Sequence, residues 1–270
     1  MKMPTLEIAP GVQMPLLGFG TWLLSGSQCE EAVRIALETG YRHIDSAHLY
    51  KNHDAIAKAM RGYDREELFL TSKFMLQMGL KESVTESCER ALRELKTNYL
   101  DLFLMHYPDR SVEMDGVLEE LCNLVEKGYT RAVGVSNFTL RHLKEHPGFP
   151  LSVNQVEYHC YLNQKKLRAY CESVGMHIAS FRSLGKGQLI DDPLLTEIGK
   201  KYKKSAAQIS LRWLVQNGIP VIPKGSSRKH IEENFNIFDF ELTPHDFELL
   251  NQVPQRPRYC ESEMSDFNYE

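Results

Sequence analysis

Four polar residues stand at or just beyond the ends of apolar, strand-like segments of this 270-residue chain. Asp45 ends the segment YRHID, Lys73 ends ELFLTSK and His106 ends YLDLFLMH, while Tyr50 follows Asp45 closely. A charge on a buried strand is costly unless it is paired or used. Together these side chains offer a proton donor, a cation, a counter-ion and an orienting imidazole, which are the groups that reduction of a carbonyl requires.

Such a reduction places negative charge on the carbonyl oxygen, which must then be protonated. The phenol of Tyr50 holds its proton tightly, since the pKa of a free tyrosine is about 10. A nearby ammonium from Lys73 would lower that pKa, and Asp45 would keep the ammonium charged. His106 would donate a hydrogen bond to the substrate oxygen. Each residue alone has an ordinary structural role, so it is their joint placement that indicates a catalytic site.

The chain alternates strand-like and helical patterns. Apolar stripes at helical spacing separate the strands, and Ser205 with Gln208 forms the capping-box pattern that starts a helix. A short hairpin with Pro10–Gly11 as its turn comes first. The strand-like segments are residues 16–20, 41–45, 67–73, 99–106, 131–137, 151–157, 176–182 and 219–225.

Repeated strand–helix units require parallel strands with right-handed crossovers. Eight in succession, with no Gly-x-Gly-x-x-Gly motif after any strand, favour a (β/α)8 barrel over an open dinucleotide-binding sheet. We expect one domain over residues 1–270, with the N-terminal hairpin closing the bottom of the barrel. A parallel barrel carries its active site at the carboxyl ends of its strands. The further polar residues at those ends are Ser136, Asn137, Gln155, Arg182 and Lys224.

Composition excludes some classes of function. Hydrophobic residues make up 42% and charged residues 25% of the chain, and the formal net charge is −4 without a long basic block, so we expect no nucleic-acid partner. The six cysteines show neither a Cys-x-x-Cys pair nor a grouping with histidine, and we expect no metal site. With no apolar run long enough for a signal peptide or a membrane span, the expectation is a cytoplasmic protein that binds no membrane.

Six motifs together resemble the aldo-keto reductase superfamily. They are GYRHIDSAHLYKN, LFLTSKF, DLFLMHYP, GVSNF, NQVEYH and VIPKG, in this order, and the resemblance runs from GFGTW to IFDFEL. It implies reduction of aldehydes or ketones with NADPH by a tetrad of Asp45, Tyr50, Lys73 and His106. The compact connections and brief tail resemble bacterial members that reduce small carbonyls, such as diketogluconate and methylglyoxal reductases, and a monomer is implied.

The same resemblance assigns the binding residues. Ser136, Asn137 and Gln155 would hold the nicotinamide carboxamide, an amide that needs both donors and acceptors. The other implied cofactor contacts are Gly20 and Thr21 beside the nicotinamide and Phe181 under its ring. Arg182, Ser183 and the segment 184–188, which begins with Leu184 and Gly185 and includes Lys186 and Gly187, would lie along the pyrophosphate. Lys224, Gly225, Ser226 and His230 would lie at the adenosine phosphate, and Glu233 and Asn234 at the adenine. The implied walls of the substrate pocket are Trp22, Leu49, Phe74 and Tyr107.

Some residues depart from the family pattern. Arg182 stands where a small hydroxyl residue is usual; it either adds a pyrophosphate contact, which we favour, or disturbs the segment. His53 and Ala57, where the family usually has Glu or Gln and Gly, lie in the second predicted helix, and we expect only structural consequences from them.

The adenosine-phosphate site departs as well. His230 replaces a common arginine, and an imidazole is a weaker phosphate partner than a guanidinium. Gly225 stands where the family has a hydroxyl residue. Arg228 and Lys229 lie next to His230 in the sequence and are the candidates to replace the missing arginine. We predict that NADPH is preferred through Lys224, by a narrower margin than usual and with some use of NADH.

Two other functions compete with this hypothesis. A catalytically weak barrel acting as a nucleotide sensor or structural subunit would bind NADPH without turnover, which the intact tetrad disfavours. A metal-dependent hydrolase would use His43, His48 and His106, of which His48 follows on irregular chain. The physiological substrate depends on loops and on the tail at residues 259–270, which either covers the pocket or is disordered.

Overall fold

The structure, a computed structural model, describes residues 3–76, 82–260 and 266–269. An antiparallel hairpin comes first, with β1 (Thr5–Ala9) and β2 (Val12–Pro15) joined through Gly11, whose φ of +73° favours glycine. Its apolar side chains pack against apolar residues inside the barrel, so the hairpin closes the bottom as expected. This cluster consists of Ile8, Val12, Met14, Phe69, Leu102, Leu104, Ala132, Val153 and Ala179.

A parallel sheet follows, in which each strand pairs with the next one along the chain. Its strands are β3 (Phe19–Gly20), β4 (His43–Asp45), β5 (Phe69–Phe74), β6 (Leu100–Met105), β7 (Thr130–Ser136), β8 (Val153–Glu157) and β9 (His177–Phe181). Asp45 lies opposite Gly20 on one side and Thr71 on the other, so the strand ends meet at one face.

The segment predicted as the eighth strand closes the barrel without forming a regular strand. Val221 makes parallel bridges to Leu17 on one side and to Ser180 on the other. Pro220 and Pro223 lack the N–H that a continuous ladder needs, which limits the pairing. The result is the predicted (β/α)8 barrel, in which the first and eighth strands are shorter than expected.

Helices cover the outside of the sheet. One of them starts at its predicted capping box, in which Ser205 accepts a hydrogen bond from the N–H of Gln208 at 3.3 Å. No helix in the described ranges is long and apolar enough to cross a membrane. The helices are α1 (Gly26–Thr39), α2 (His53–Ala59), α3 (Val84–Leu95), α4 (Met114–Glu126), α5 (Leu140–Glu145), α6 (Lys165–Ser173), α7 (Pro193–Tyr202), α8 (Ala206–Gln216), α9 (Arg228–Phe235) and α10 (Pro244–Asn251).

The barrel interior changes from apolar at the bottom to polar at the top. Side chains alternate along a strand, so residues two apart share a face. Nε2 of His43 lies 3.0 Å from the hydroxyl of Thr71, and one layer higher Asp45 meets Lys73. The charges therefore stand where the strands end.

Candidate active site

Lys73 and Asp45 form a buried ion pair at the carboxyl ends of β5 and β4. Nζ of Lys73 lies 2.5 Å from Oδ1 of Asp45 and donates a second hydrogen bond of 3.0 Å to the carbonyl of Ser46. Gln155 donates from Nε2 to Oδ2 of Asp45 at 2.8 Å, so both carboxylate oxygens have partners. Burial lowers the pKa of Lys73, and Asp45 opposes that effect.

A hydrogen-bond network fixes the turn that leads from Asp45 to Tyr50. The hydroxyl of Thr21 donates to the carbonyl of Asp45 at 2.9 Å. Ser46 donates to Oδ1 of Asn52 at 2.7 Å, and the amide of Asn52 donates to the carbonyl of Thr21 at 3.0 Å. These bonds tie the strand end to the short 3₁₀ turn that carries Tyr50.

Tyr50 lies beside the ion pair and next to His106. Nζ of Lys73 is 5.2 Å from the centroid of the Tyr50 ring. The rings of Tyr50 and His106 meet edge to face with 5.7 Å between centroids, and Trp22 covers another side of Tyr50 at 4.8 Å. The four residues predicted to form the tetrad are therefore brought together.

The pKa of Tyr50 is raised well above its ordinary value, first by burial and next by the charge of Asp45. The net result is the opposite of the lowered pKa expected from the neighbouring Lys73. Burial is the larger cause, and the pairing of Lys73 with Asp45 offsets the charge of its ammonium at the phenol. Tyr50 consequently keeps its proton over the physiological pH range until a strong base takes it.

His106 is held as a neutral imidazole. Burial, and next the charge of Lys73, lower its pKa well below the ordinary value. Its ring stacks on Tyr107 with 4.7 Å between centroids. A neutral imidazole has one N–H donor, so His106 has one hydrogen bond to give at the cavity that it lines.

A cavity of about 810 Å³ opens beside these residues and runs across the strand ends to α9, and its volume lies in the range of ligand-binding pockets. Gly20 is needed at its edge, because an added Cβ would lie 2.5 Å from the carbonyl oxygen of Ile222. The predicted residues that line the cavity are Gly20, Thr21, Trp22, Asp45, Leu49, Tyr50, His106, Tyr107, Ser136, Asn137, Gln155, Phe181, Arg182, Ser183, Leu184, Lys186, Gly187, Lys224, Ser226, His230, Glu233 and Asn234.

One buried amide oxygen in this cavity suits a ligand donor. Asn137 donates from Nδ2 to the carbonyl of His106 at 2.9 Å and to the hydroxyl of Ser136 at 3.1 Å. Its Oδ1 is buried and has no hydrogen-bond partner among the residues that the structure describes. Because such an atom is costly to bury unpaired, an amide N–H from a nicotinamide fits there.

The far end of the cavity carries exposed basic side chains, Lys224 and His230. Arg228, considered as a substitute for the missing arginine, does not line the cavity, because its guanidinium lies 2.9 Å from the carboxylate of Glu38. Lys229 does not line it either. Of the cations predicted as partners of the phosphate, Lys224 and His230 therefore line this end of the cavity, whereas Arg228 and Lys229 do not.

Arg182 lines the cavity, but its guanidinium is bonded to the C-terminal segment. Nη1 donates to the carbonyl of Tyr259 at 2.5 Å and lies 3.9 Å from Oε2 of Glu157. A pyrophosphate contact would have to compete with this tether.

Phe74 was predicted to line the substrate pocket, and the structure contradicts this. Because Phe74 directly follows the inward-facing Lys73, it points to the helix layer. There its ring stacks on Phe103 with 5.3 Å between centroids, and it is buried in the core.

The predicted cofactor residues Gly225 and Gly185 do not line the cavity either. Gly225 is packed under Ile231, since an added Cβ would lie 2.6 Å from Cγ1 of that residue. Gly185 turns the chain with a φ of +55° against the ring of Tyr259. Both glycines shape the site through backbone packing rather than by facing a ligand.

Several lining residues were not predicted, because they are apolar or small and carry no chemical signal. Ile222 and Pro223 precede Lys224 in the VIPKG motif, so that motif held some indication of them. The unpredicted lining residues are Leu23, Ile190, Ser205, Ala207, Ile222, Pro223 and Cys260.

The end of the tail packs away from the cavity. The ring of Tyr269 lies between the guanidinium groups of Arg110 and Arg141, at 4.1 and 4.0 Å, and its hydroxyl donates to Glu145 on α5. Neither Tyr269 nor Phe267 lines the cavity. The rest of the predicted cover, residues 261–265 and 270, lies outside the described residues.

The histidines of the metal hypothesis are not grouped as ligands. His43 is buried beside Thr71, and burial lowers its pKa to about 3. In the parts of the chain that the structure describes, no cluster of three or more His, Cys, Asp or Glu side chains is arranged to hold a metal ion.

Comparison with known proteins covers nearly the whole barrel. The model of the aldo/keto reductase family matches residues 16–254. Glyoxal reductase from Bacillus subtilis is 38% identical over 260 residues, with 94% of each chain covered. The 9,11-endoperoxide prostaglandin H2 reductase from Trypanosoma cruzi is 37% identical over 256 residues, covering 92% of this chain and 90% of the relative. The structure of the aldose reductase from Schistosoma japonicum matches with a TM-score of 0.87 at 33% identity, covering 95% of this chain and 94% of that one.

The barrel and these relatives define an oxidoreductase that acts on carbonyl groups with a nicotinamide cofactor, NADH or NADPH. The chain belongs to the aldo/keto reductase family, as the resemblance of its motifs implied.

Proposed function

We propose that this protein reduces small aldehydes and ketones to alcohols with NADPH, using Tyr50 as the proton donor. One observation carries the proposal: Tyr50 and His106 line a cavity beside the buried pair of Lys73 and Asp45, and the same cavity reaches Lys224. Bound NADPH would supply the hydride, which no protein side chain provides.

The chain's own residues would place the carbonyl. His106, neutral and with one N–H to donate, would bind the carbonyl oxygen. Trp22, Leu49 and Tyr107 line the cavity near it and would enclose the rest of a small substrate. Ser136 and Asn137 would fix which face of the nicotinamide is presented, through the unpaired amide oxygen described above.

Tyr50 would then protonate the substrate oxygen as negative charge develops on it. Because burial raises the pKa of Tyr50, its phenol is fully protonated before the reaction. As charge develops on the substrate oxygen, the phenol gives up its proton, since an alkoxide is a stronger base than a phenolate. Lys73 would stabilise the phenolate that remains, and Asp45 would hold Lys73 in place.

The preference for NADPH is proposed from the cation at the adenosine end. Lys224 would pair with a 2′-phosphate, and His230 would add a hydrogen bond. Arg228 is engaged with Glu38, which supports the narrower margin over NADH that His230 suggests.

The relative named glyoxal reductase supports short aldehydes, including 2-oxoaldehydes, as first substrates to test. We also propose a monomeric protein located in the cytoplasm, which gel filtration and cell fractionation test.

The loss of nicotinamide absorbance on mixing with a panel of short aldehydes and ketones tests the function. We expect turnover with NADPH and slower turnover with NADH. If NADPH binds, as followed by its fluorescence, but no carbonyl of the panel is reduced, the sensor or structural alternative is favoured and the proposal fails. A kcat/KM for NADH more than about tenfold above that for NADPH would contradict the cofactor preference alone.

A further inference from the structure

The C-terminal segment at Tyr259 and Cys260 is held by two side chains from the ends of β8 and β9. Glu157, the last residue of β8, accepts hydrogen bonds from the N–H of Tyr259 at 2.7 Å and of Cys260 at 2.6 Å. Arg182, which directly follows β9, donates to the carbonyl of Tyr259 at 2.5 Å. Three consecutive backbone polar groups are thus bonded to one acid and one base.

Glu157 is a buried charge that the proposed reaction does not use. Its side chain is 0% exposed. Burial opposes the charged form, yet hydrogen bonds from His159 and from the backbone N–H groups of Tyr259 and Cys260 lower the pKa of Glu157. A buried carboxylate without partners would be strongly destabilising. The C-terminal segment therefore satisfies Glu157 as much as Glu157 holds the segment.

Arg182 is positioned for this contact. It has a left-handed φ of +49°, which is uncommon for a residue other than glycine. Its Nη1 lies 3.9 Å from the carboxylate of Glu157, and only 24% of its side chain is exposed. These contacts use part of the guanidinium that a pyrophosphate would need.

The held segment forms part of the cavity. Cys260 is buried and lines the cavity that also contains Tyr50. Arg182 and Tyr50 line this cavity as well, so the held segment and the proposed proton donor share it. Tyr259 packs against the turn at Gly185, where an added Cβ would lie 2.9 Å from its ring.

We propose that Glu157 and Arg182 clamp the C-terminal segment onto the barrel and so make Cys260 a fixed wall of the substrate side of the cavity. Both are positioning residues, which set how much room a substrate has beside Tyr50. The part of this inference that concerns substrates rests on the proposed function, whereas the seating of Cys260 does not.

The rate at which a maleimide labels Cys260, followed by mass spectrometry of its peptide, tests the clamp without turnover. Cys260 is 4% exposed, so labelling of the intact protein should be slow. Arg182→Met should speed it by about tenfold or more, because a lost charged hydrogen bond makes local opening easier. Arg182→Lys, which keeps one donor, should restore part of the protection. Arg34→Met, at a surface ion pair on α1, should leave the rate unchanged.

Specificity gives a second readout. In Arg182→Met the ratio of kcat/KM for a bulky aldehyde to that for a short one should rise by about fivefold, since the wall is no longer fixed. Glu157→Gln should raise the same ratio. If the Glu157→Gln variant does not fold, the Arg182→Met variant alone tests the clamp.

Unchanged labelling of Cys260 in a folded Arg182→Met variant would overturn the clamp, whatever happens to cofactor binding. If the Kd for NADPH rose about tenfold at the same time, Arg182 would instead be a pyrophosphate ligand. Tyr50→Phe should keep the slow labelling of Cys260 while losing turnover, so a failure of the proposed reaction remains distinguishable from a failure of the clamp.

Discussion

The side-chain amide of Gln155 donates a hydrogen bond of 2.8 Å to Asp45, so a residue proposed to bind the cofactor also holds the proposed catalytic ion pair. Gln155→Leu should therefore weaken NADPH binding and also lower kcat by about tenfold or more, since a hydrogen bond to a charged group contributes roughly 1.5–3 kcal/mol. Ser136→Ala is the matched control, because its hydroxyl donates to the carbonyl of Gln155 and not to Asp45. It should change the Kd for NADPH with little effect on kcat. Equal kcat in both variants would refute the link.

Asp45→Asn should be strongly destabilising. The ammonium of Lys73 would remain buried without its counter-ion, which costs about 3–5 kcal/mol in the free energy of unfolding. Urea denaturation measures this. Asp115→Asn, which removes the partner of His146 at an exposed site, should change stability by less than about 0.5 kcal/mol. Similar losses of unfolding free energy in the two variants would show that the buried ion pair stabilises the fold no more than an exposed one.

Acid should destabilise the fold through buried histidines. Burial lowers the pKa of His43 to about 3, whereas the unfolded chain has a histidine pKa of about 6.5. Between these values the unfolded state binds more protons than the folded state, so stability falls as pH falls, by about 1.4 kcal/mol per pH unit and group. His106 acts in the same direction.

Denaturation midpoints between pH 7 and 5.5 measure this slope before most carboxylates titrate. His43→Leu should make this slope shallower by the contribution of one histidine, about 1.4 kcal/mol per pH unit. The substitution also removes the contact with Thr71, so it should lower stability at every pH. A slope unchanged by that substitution would mean that His43 is not the group responsible.

Cofactor choice should depend on Lys224 and His230. Lys224→Met should raise the KM for NADPH by about tenfold or more and leave that for NADH nearly unchanged, since only NADPH carries the 2′-phosphate. His230→Arg should widen the preference for NADPH. Lys229→Met serves as the control, because Lys229 lies on α9 with His230 but does not line the cavity. It should alter neither the KM for NADPH nor that for NADH. If Lys224→Met affected the two cofactors equally, the adenosine phosphate would lie elsewhere.

The strand ends held enough information to predict the catalytic cluster. Asp45, Lys73 and His106 each close an apolar run, and parallel strands bring such ends together. The same reasoning applied to Phe74 would have placed it on the opposite face from its neighbour Lys73. The two prolines of the eighth strand also indicated that its pairing would be irregular.

Contacts between distant parts of the chain could not be predicted. Arg228 pairs with Glu38 and Arg182 with the carbonyl of Tyr259, and no local pattern marks either partner. The raised pKa of Tyr50 belongs to the same class, because burial is a property of the folded barrel and only the neighbouring lysine was visible in the sequence.

The most direct measurement of the central claim is kcat for a short aldehyde in Tyr50→Phe, with the Kd for NADPH measured beside it. We predict a fall in kcat of about a hundredfold to ten-thousandfold, because the proton donor is gone, with little change in Kd. Tyr63→Phe, a tyrosine outside the cavity, should keep full activity. A Tyr50→Phe variant that turns over at nearly the wild-type rate would contradict the claim that Tyr50 delivers the proton.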